Sequence, residues 1–394
     1  MTGKTSGVRV MAGCGAATQD VPRDREIAVL ARLLLNGPFG EELALTKNFS
    51  LGALLWLLSG ASALAQKTAN VSYAYDEVGQ LVGSVDANGE AKAYTYDAAG
   101  HLVSVEKMVA RGPVDIFFLG PNRVLLSPSQ TPLVTIYGVG FSSVPAENQV
   151  TFNGAPAIVE TSSNQAIVAR LPTCARTGPV QVTSPGGAAT SRGDFTVAFA
   201  SCQVAMQTCP TNPSSVYSLQ ARNEFFQAYC DMATDGGGWT LVLAYSHPGN
   251  TSNPLQIGVR PLAPDGFSHY SNAQVGRLTA FAEARFFCQT SGHSRQIHFK
   301  TSNNAVLSYL RTGIGNNDSA AWRTGFTALP GHTGNLPAAT MASFTDQHDL
   351  AMTEHPFYLA STYHWNIRSG GVRWECDDYP NGSQNTTLHQ VWVR

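Results

Sequence analysis

Tyr229-Cys230-Asp231-Met232-Ala233-Thr234-Asp235-Gly236-Gly237-Gly238-Trp239-Thr240-Leu241-Val242 is the most informative stretch of this 394-residue chain. Three consecutive glycines free the backbone to enter positive φ, which residues with a Cβ rarely do. Trp239 and the apolar alternation after it then read as the start of a core strand. Upstream lie Cys209-Pro210 and Val216-Tyr217-Ser218-Leu219; far downstream, Trp374-Glu375-Cys376 precedes Asn381-Gly382.

Together these phrases resemble the signature of fibrinogen C-terminal domains and intelectins, over residues 201–394. The resemblance implies an α+β fibrinogen-like domain opening with a hairpin. It also implies a Cys209–Cys230 disulfide, which would contribute roughly 3 kcal/mol by restricting the unfolded chain. Phe344-Thr345-Asp346-Gln347-His348-Asp349 is similar to a degraded form of the family's calcium loop, which is richer in Asp. The cysteine that usually stands between that loop and the tryptophan is missing here. With Cys209 and Cys230 paired, Cys376 is expected to pair with Cys288, which leaves Cys174 with Cys202.

Calcium is bound by carboxylate, carbonyl and water oxygens. Two groups offer them: Asp346 with Asp349, and Glu375, Asp377 and Asp378 with Asn381. The resemblance implies that a bound Ca²⁺ either coordinates ligand hydroxyls or steadies a loop beside an acetyl-group pocket. His364, Trp365 and Tyr379 are the candidate ligand-binding residues, because flat rings stack on sugar faces or line such a pocket. Acidic turns are also common as plain solvated surface, and aromatics as core.

Before this domain, residues 114–198 carry short alternating apolar runs divided by Gly and Pro turns, such as Leu133-Val134-Thr135-Ile136-Tyr137 and Ala166-Ile167-Val168-Ala169-Arg170. That pattern predicts a sandwich of short strands. Val134-Thr135-Ile136-Tyr137-Gly138-Val139-Gly140-Phe141, Asn148 to Gly154 and Thr177 to Thr183 resemble an IPT/TIG domain, an immunoglobulin-like β-sandwich. In exported proteins such domains usually act as spacers.

Earlier still, Tyr73-Ala74-Tyr75-Asp76-Glu77-Val78-Gly79-Gln80-Leu81 recurs as Tyr94-Thr95-Tyr96-Asp97-Ala98-Ala99-Gly100-His101-Leu102, at a constant offset of 21 residues. Each unit reads as strand, Asp-x-x-Gly turn, strand. The motif is similar to the YD repeats of Rhs-type and teneurin-type proteins. Two units within residues 66–110 cannot close a shell, so a small β-hairpin stalk, free to move, is expected.

Phe49 to Ala65 reads FSLGALLWLLSGASALA, preceded by Lys47. A basic flank, a short apolar core and the Ala63-x-Ala65 ending form the pattern of a secretory signal peptide over residues 47–65. The run is short for a transmembrane helix, so no stable membrane span is expected after cleavage. Residues 1–46 show no domain pattern and read as a non-native or disordered extension, with the translation start near Leu45 and the mature end at Gln66. Cleavage leaves Cys174, Cys202, Cys209, Cys230, Cys288 and Cys376, an even set suited to disulfides in an exported protein, secreted or at the cell surface. No CxxC is present.

Charged residues are 13% of the chain and the net charge is −2, which gives no basic surface for nucleic acid. His348, Glu354, His355 and His364 cluster in sequence, yet HExxH, Gly-x-Ser-x-Gly and a phosphate-binding loop are all absent. The sequence therefore predicts a multidomain, mainly β protein without enzymatic activity. Its expected role is lectin-like recognition of a cell-surface glycan or acetylated ligand. The alternative is a structural or adhesive protein that binds a surface protein.

Overall fold

The computed structural model describes residues 71–76, 78–314, 324–338, 358–359, 363–377, 379–382 and 384–394. The signal-peptide and extension readings, Asp346, Asp349, Asp378 and the side chain of His364 lie outside the described residues. The described chain is mainly β, in four sheets. No described helix is long and apolar enough to cross a membrane.

The repeat region forms β1 (Ser72–Tyr75), β2 (Leu81–Val85), β3 (Ala91–Tyr96) and β4 (Leu102–Met108), an antiparallel sheet in that order. Its turns share one design. Asp76 Oδ1 accepts from the amides of Val78 and Gln80, and Asp97 Oδ1 from those of Ala99 and His101. Asp86, in Asp86-Ala87-Asn88-Gly89 between the units, does the same with Asn88 and Glu90. Gly79, Gly89 and Gly100 close the three turns at positive φ. The side chain thus caps each turn and glycine supplies its left-handed residue.

The next strands are β5 (Asp115–Gly120), β6 (Arg123–Leu125), β7 (Leu133–Val139), β8 (Gln149–Phe152), β9 (Ala155–Ser162), β10 (Ala166–Arg170), β11 (Val180–Ser184), β12 (Gly187–Thr190) and β13 (Thr196–Phe199). They form an immunoglobulin-like sandwich. β9 pairs with β8 through its first residues and with β10 through its last, so one strand serves both layers. Inward positions alternate as expected: Val134 and Ile136 on β7, Ile167 and Ala169 on β10, Val180 and Val182 on β11 are all buried.

The free stalk expected from the repeats is corrected by the packing. Val85 and Ala91 from the repeat sheet share a buried cluster with Phe117, against Phe118, Tyr137 and Val139 of the sandwich. Gly83 makes the seat, since a Cβ there would lie 2.5 Å from the Phe118 ring. Gln165 Nε2 also donates to Asp86 O. Sequence periodicity reveals strands, but not that a glycine has been placed to receive an aromatic ring.

The C-terminal part contains α1 (Cys202–Thr208), β14 (Ser215–Ala221), β15 (Glu224–Asp231), β16 (Trp239–Pro248), β17 (Phe267–His269), α2 (Asn272–Val275), β18 (Ala284–Thr290), β19 (Gln296–Thr301), α3 (Asn304–Thr312), β20 (Phe326–Ala328), β21 (Tyr358–Leu359), β22 (Tyr363–Asn366), β23 (Glu375–Cys376), β24 (Tyr379–Pro380) and β25 (Thr386–Val393). A ten-stranded sheet runs β20-β19-β18-β25-β16-β15-β14-β13-β6 with β17 beside β16. β13 pairs parallel with both β14 and β6, so sandwich strands continue directly into the C-terminal sheet.

The glycine run behaves as its composition demands. Gly236, Gly237 and Gly238 have φ of +82°, +73° and +78°. A Cβ on Gly237 would lie 2.4 Å from Met232 O, and one on Gly238 2.9 Å from Gln203 Cα. The loop delivers Trp239 into the interior, fully buried, with Nε1 donating to Thr234 O at 2.9 Å. The main core beneath the sheet gathers Tyr245, Tyr270, Phe286, Phe299, Trp365 and Trp374.

Three disulfides join the predicted cysteines. Cys288–Cys376 forms as expected, with Cα atoms 5.8 Å apart. The other two pairs are exchanged: Cys174 bonds Cys209, and Cys202 bonds Cys230. The reason is α1, which spans Cys202 to Thr208 and places its first residue against β15 and Cys209 at its far end, facing the loop after β10. That short helix was not anticipated from sequence.

Candidate functional site

Among the described residues, the sequence-selected Trp365, Glu375, Asp377, Tyr379 and Asn381 gather around a tight hairpin of the C-terminal domain. β23 pairs with β22 on one side and β24 on the other, and Cys376–Cys288 ties it to β18. Asp377 occupies the turn with φ +50°, the left-handed region that Asp tolerates better than most residues.

The hairpin's polar groups are engaged both by near neighbours and by residues distant in sequence. Arg295 Nε donates to Asp377 Oδ2 at 3.1 Å, and Thr333 Oγ1 approaches the same oxygen at 3.4 Å. Asp377 Oδ1 is buried without a hydrogen-bond partner among the described residues, beside Gly334, where a Cβ would come within 3.1 Å. Glu375, also buried, pairs with Arg373 at 2.8 Å. Asn381 is buried too: its Oδ1 accepts from Trp374 N at 2.7 Å, and its amide donates to His247 O at 3.1 Å and to His247 Nδ1 at 2.9 Å.

The chosen aromatics divide. Trp365 is fully buried among Phe286 and His389, so it packs the core and cannot offer a ring to a ligand. Trp374 is likewise buried and stacks on His247, centroids 4.1 Å apart and planes 6° from parallel. Tyr379 is half-buried and stacks on His293 at 3.9 Å, leaving a paired aromatic surface at the hairpin's margin.

Burial lowers the pKa of His247. His389 is held down to about 3 by complete burial, opposed by the bond from Nε2 to Glu375 O. Both rings are neutral at physiological pH and act as packed hydrogen-bonding elements.

The oxygens of Glu375, Asp377 and Asn381 are engaged within the protein, and Asp378, the fourth residue of that group, lies outside the described residues. Calcium takes six to eight oxygens, whereas here two carboxylates face arginines and the amide oxygen faces a backbone N–H. No group of three or more His, Cys, Asp or Glu able to hold a metal stands among the described residues. Arg295, Thr333, His293 and His247 complete the site but carried no sequence signal. They come from separate strands and loops, and only the folded chain brings them to the hairpin.

Comparison with known proteins adds the following. Residues 75–107 match the RHS Repeat family and residues 125–197 the IPT/TIG domain family. Among solved structures, the chain is similar to the fibrinogen-like globe domain of human ANGPTL2, at 17% identity and TM-score 0.29, covering 50% of this chain and 98% of that one. The fibrinogen-like globe domain of human ANGPTL6 gives 15% identity and TM-score 0.29, covering 49% and 94%. An auxiliary nutrient binding protein from Bacteroides thetaiotaomicron gives 20% identity and TM-score 0.19, covering 22% of this chain. The chain spans 21% of the length of that protein.

Proposed function

We propose that the protein is an exported, non-enzymatic recognition protein whose C-terminal domain binds a glycan or an acetylated group at a cell surface. The observation that carries the reading is the shared sheet. β6 and β13 of the sandwich pair into the sheet that holds the C-terminal domain, and Cys174–Cys209 adds a covalent tie between the two. A spacer rigidly joined to a head suits presentation of a binding surface. The hairpin supports it further: its acids and amide are held in fixed pairs, and the His293–Tyr379 stack offers a flat face. The three disulfides suit an oxidising, extracytoplasmic compartment.

Calcium belongs to this reading through Asp346 with Asp349, or through the group of Glu375, Asp377, Asp378 and Asn381. The test is a glycan array probed with the full chain, with calcium and with EDTA, beside calorimetric calcium titration of the Asp346→Ala/Asp349→Ala variant. Glycan retention in the presence of calcium is expected; retention lost in EDTA, together with calcium binding lost in the variant, would give calcium a part in it. An array with no glycan bound under either condition would sink the reading.

A second reading, contact with a protein partner, is favoured by Leu102, Val103 and Val105, which are exposed on the outer strand of the repeat sheet. Pull-down of a protein partner unaffected by free sugar would support it.

A further inference from the structure

The ten-stranded sheet has two faces. One covers the main core through Phe286, Cys288, Ile297, Phe299, Val391 and Val393. Arg285 and Phe287 on β18, His298 on β19, Gln390 and Trp392 on β25, and Tyr229 and Asp231 on β15 occupy the other. Register brings them together, because Phe287 stands opposite both His298 and Gln390, and Arg285 opposite Trp392. These residues line an open cleft of ≈ 290 Å³ on the face of the sheet turned away from the core.

The charge on the floor of the cleft is paired, although Arg285 Nε and Nη1 are buried without a hydrogen-bond partner among the described residues. Arg285 is 3% exposed, lies over the rings of Trp239 and Trp392, and donates to Asp231 Oδ2 at 2.7 Å. The charges beside it are also matched, Lys300 with Asp235 and Glu283, and Arg394 with the same two acids. Two groups on the walls are unspent. Nδ1 of His298 donates to Pro330 O at 2.8 Å, which leaves Nε2 as an acceptor without a partner among the described residues. The half-buried Tyr229 makes no hydrogen bond through its hydroxyl among the described residues, and Asp265 adds a carboxylate nearby. Phe287 and Tyr229 supply apolar ring surface.

We infer that this cleft binds a neutral polyhydroxylated ring, a single sugar residue, through Tyr229 Oη, His298 Nε2 and the face of Phe287. Its volume lies just under the roughly 300–1,000 Å³ usual for ligand pockets, which suits one ring rather than an oligosaccharide. A ligand hydroxyl donates to His298 Nε2, another accepts from Tyr229, and the C–H face of the ring lies on Phe287. The inference rests on the glycan reading above but moves the contact from the hairpin to the sheet, without calcium.

The experiment is a heteronuclear NMR titration of the full chain with the methyl α-glycosides of glucose, galactose and mannose, with N-acetylglucosamine, and with glucuronate. One neutral sugar should shift the His298 ring and the Trp392 indole N–H saturably, and EDTA should change nothing. Tyr229→Phe, which removes a hydroxyl that the fold does not use, should weaken that binding about tenfold. His298→Gln should weaken it similarly. Absence of saturable shifts with all neutral sugars, tighter binding of glucuronate, or unchanged affinity in Tyr229→Phe would overturn the inference. Shifts at His293 and Tyr379 instead would overturn it while leaving glycan recognition standing. An array without any glycan hit would count against recognition itself, independently of this titration.

Discussion

Arg285 and Asp231 form a buried ion pair, Nη2 to Oδ2 at 2.7 Å, with the guanidinium held between two tryptophans. Asp231 also accepts from the amides of Ala233 and Thr234, so the pair anchors the start of the glycine loop. Removing one partner strands the other. Asp231→Ala is expected to cost about 3–5 kcal/mol in urea unfolding. Adding Arg285→Met should recover part of that loss; a double variant less stable than the single one would count against the pairing argument.

The same pair sets an acid dependence. Burial works against the Asp231 carboxylate, but hydrogen bonds from Thr234 and Ala233 and the charge of Arg285 outweigh it, lowering the pKa from 3.8 to about 2. A group depressed on folding stabilises fully above its unfolded pKa and loses that contribution as pH falls through the folded value. Roughly 2 kcal/mol should therefore fade between about pH 4 and pH 2. Comparing acid unfolding of the wild type and Asp231→Asn should show this component only in the former.

Gly237 and Gly236 make a matched pair of tests. Both have positive φ, but only Gly237 would drive a Cβ into a backbone carbonyl, that of Met232. Gly236→Ala should cost about 1 kcal/mol for its conformation alone. Gly237→Ala should cost clearly more, or prevent folding. Equal thermal midpoints for the two variants would contradict the geometry.

Gly83 offers a test of the repeat sheet's seat. Gly83→Val should expel the Phe118 ring and speed hydrogen exchange across Leu81–Val85 and Ala91–Tyr96, leaving the C-terminal sheet protected. Exchange in those strands as fast in the wild type as in the variant would mean that the seat contributes nothing.

Peptide mapping without reduction should recover Cys174 with Cys209 and Cys202 with Cys230. Each closes a loop of roughly 30 residues, worth about 4 kcal/mol in the chain-entropy account. A peptide joining Cys209 to Cys230 would refute the arrangement.

Strand-forming alternation and glycine turns made the modules legible, because both depend on local periodicity and backbone freedom. Val134, Ile136, Ile167, Val180 and Val182 point inward as their spacing requires, and the three glycines after Asp235 adopt the left-handed backbone that their run suggested. What escaped was long-range. α1 is too short to announce itself by periodicity, and it decides which cysteines meet. Arg295 and Thr333 reach Asp377 from elsewhere in the chain, so an acidic cluster that reads as metal ligands is in part a set of internal ion pairs. Trp365 looked like a ligand face because composition does not say which side of a strand meets the core.

The parallel pairing of β13 with β14 has a practical consequence. A cut near residue 200, where the sandwich passes into the next module, would strip a neighbour from β14 and bare a row of amides and carbonyls. Such a row is a template for strand addition. The isolated C-terminal half would then tend to self-associate through that edge, and a soluble, monomeric form of the head requires the sandwich to travel with it.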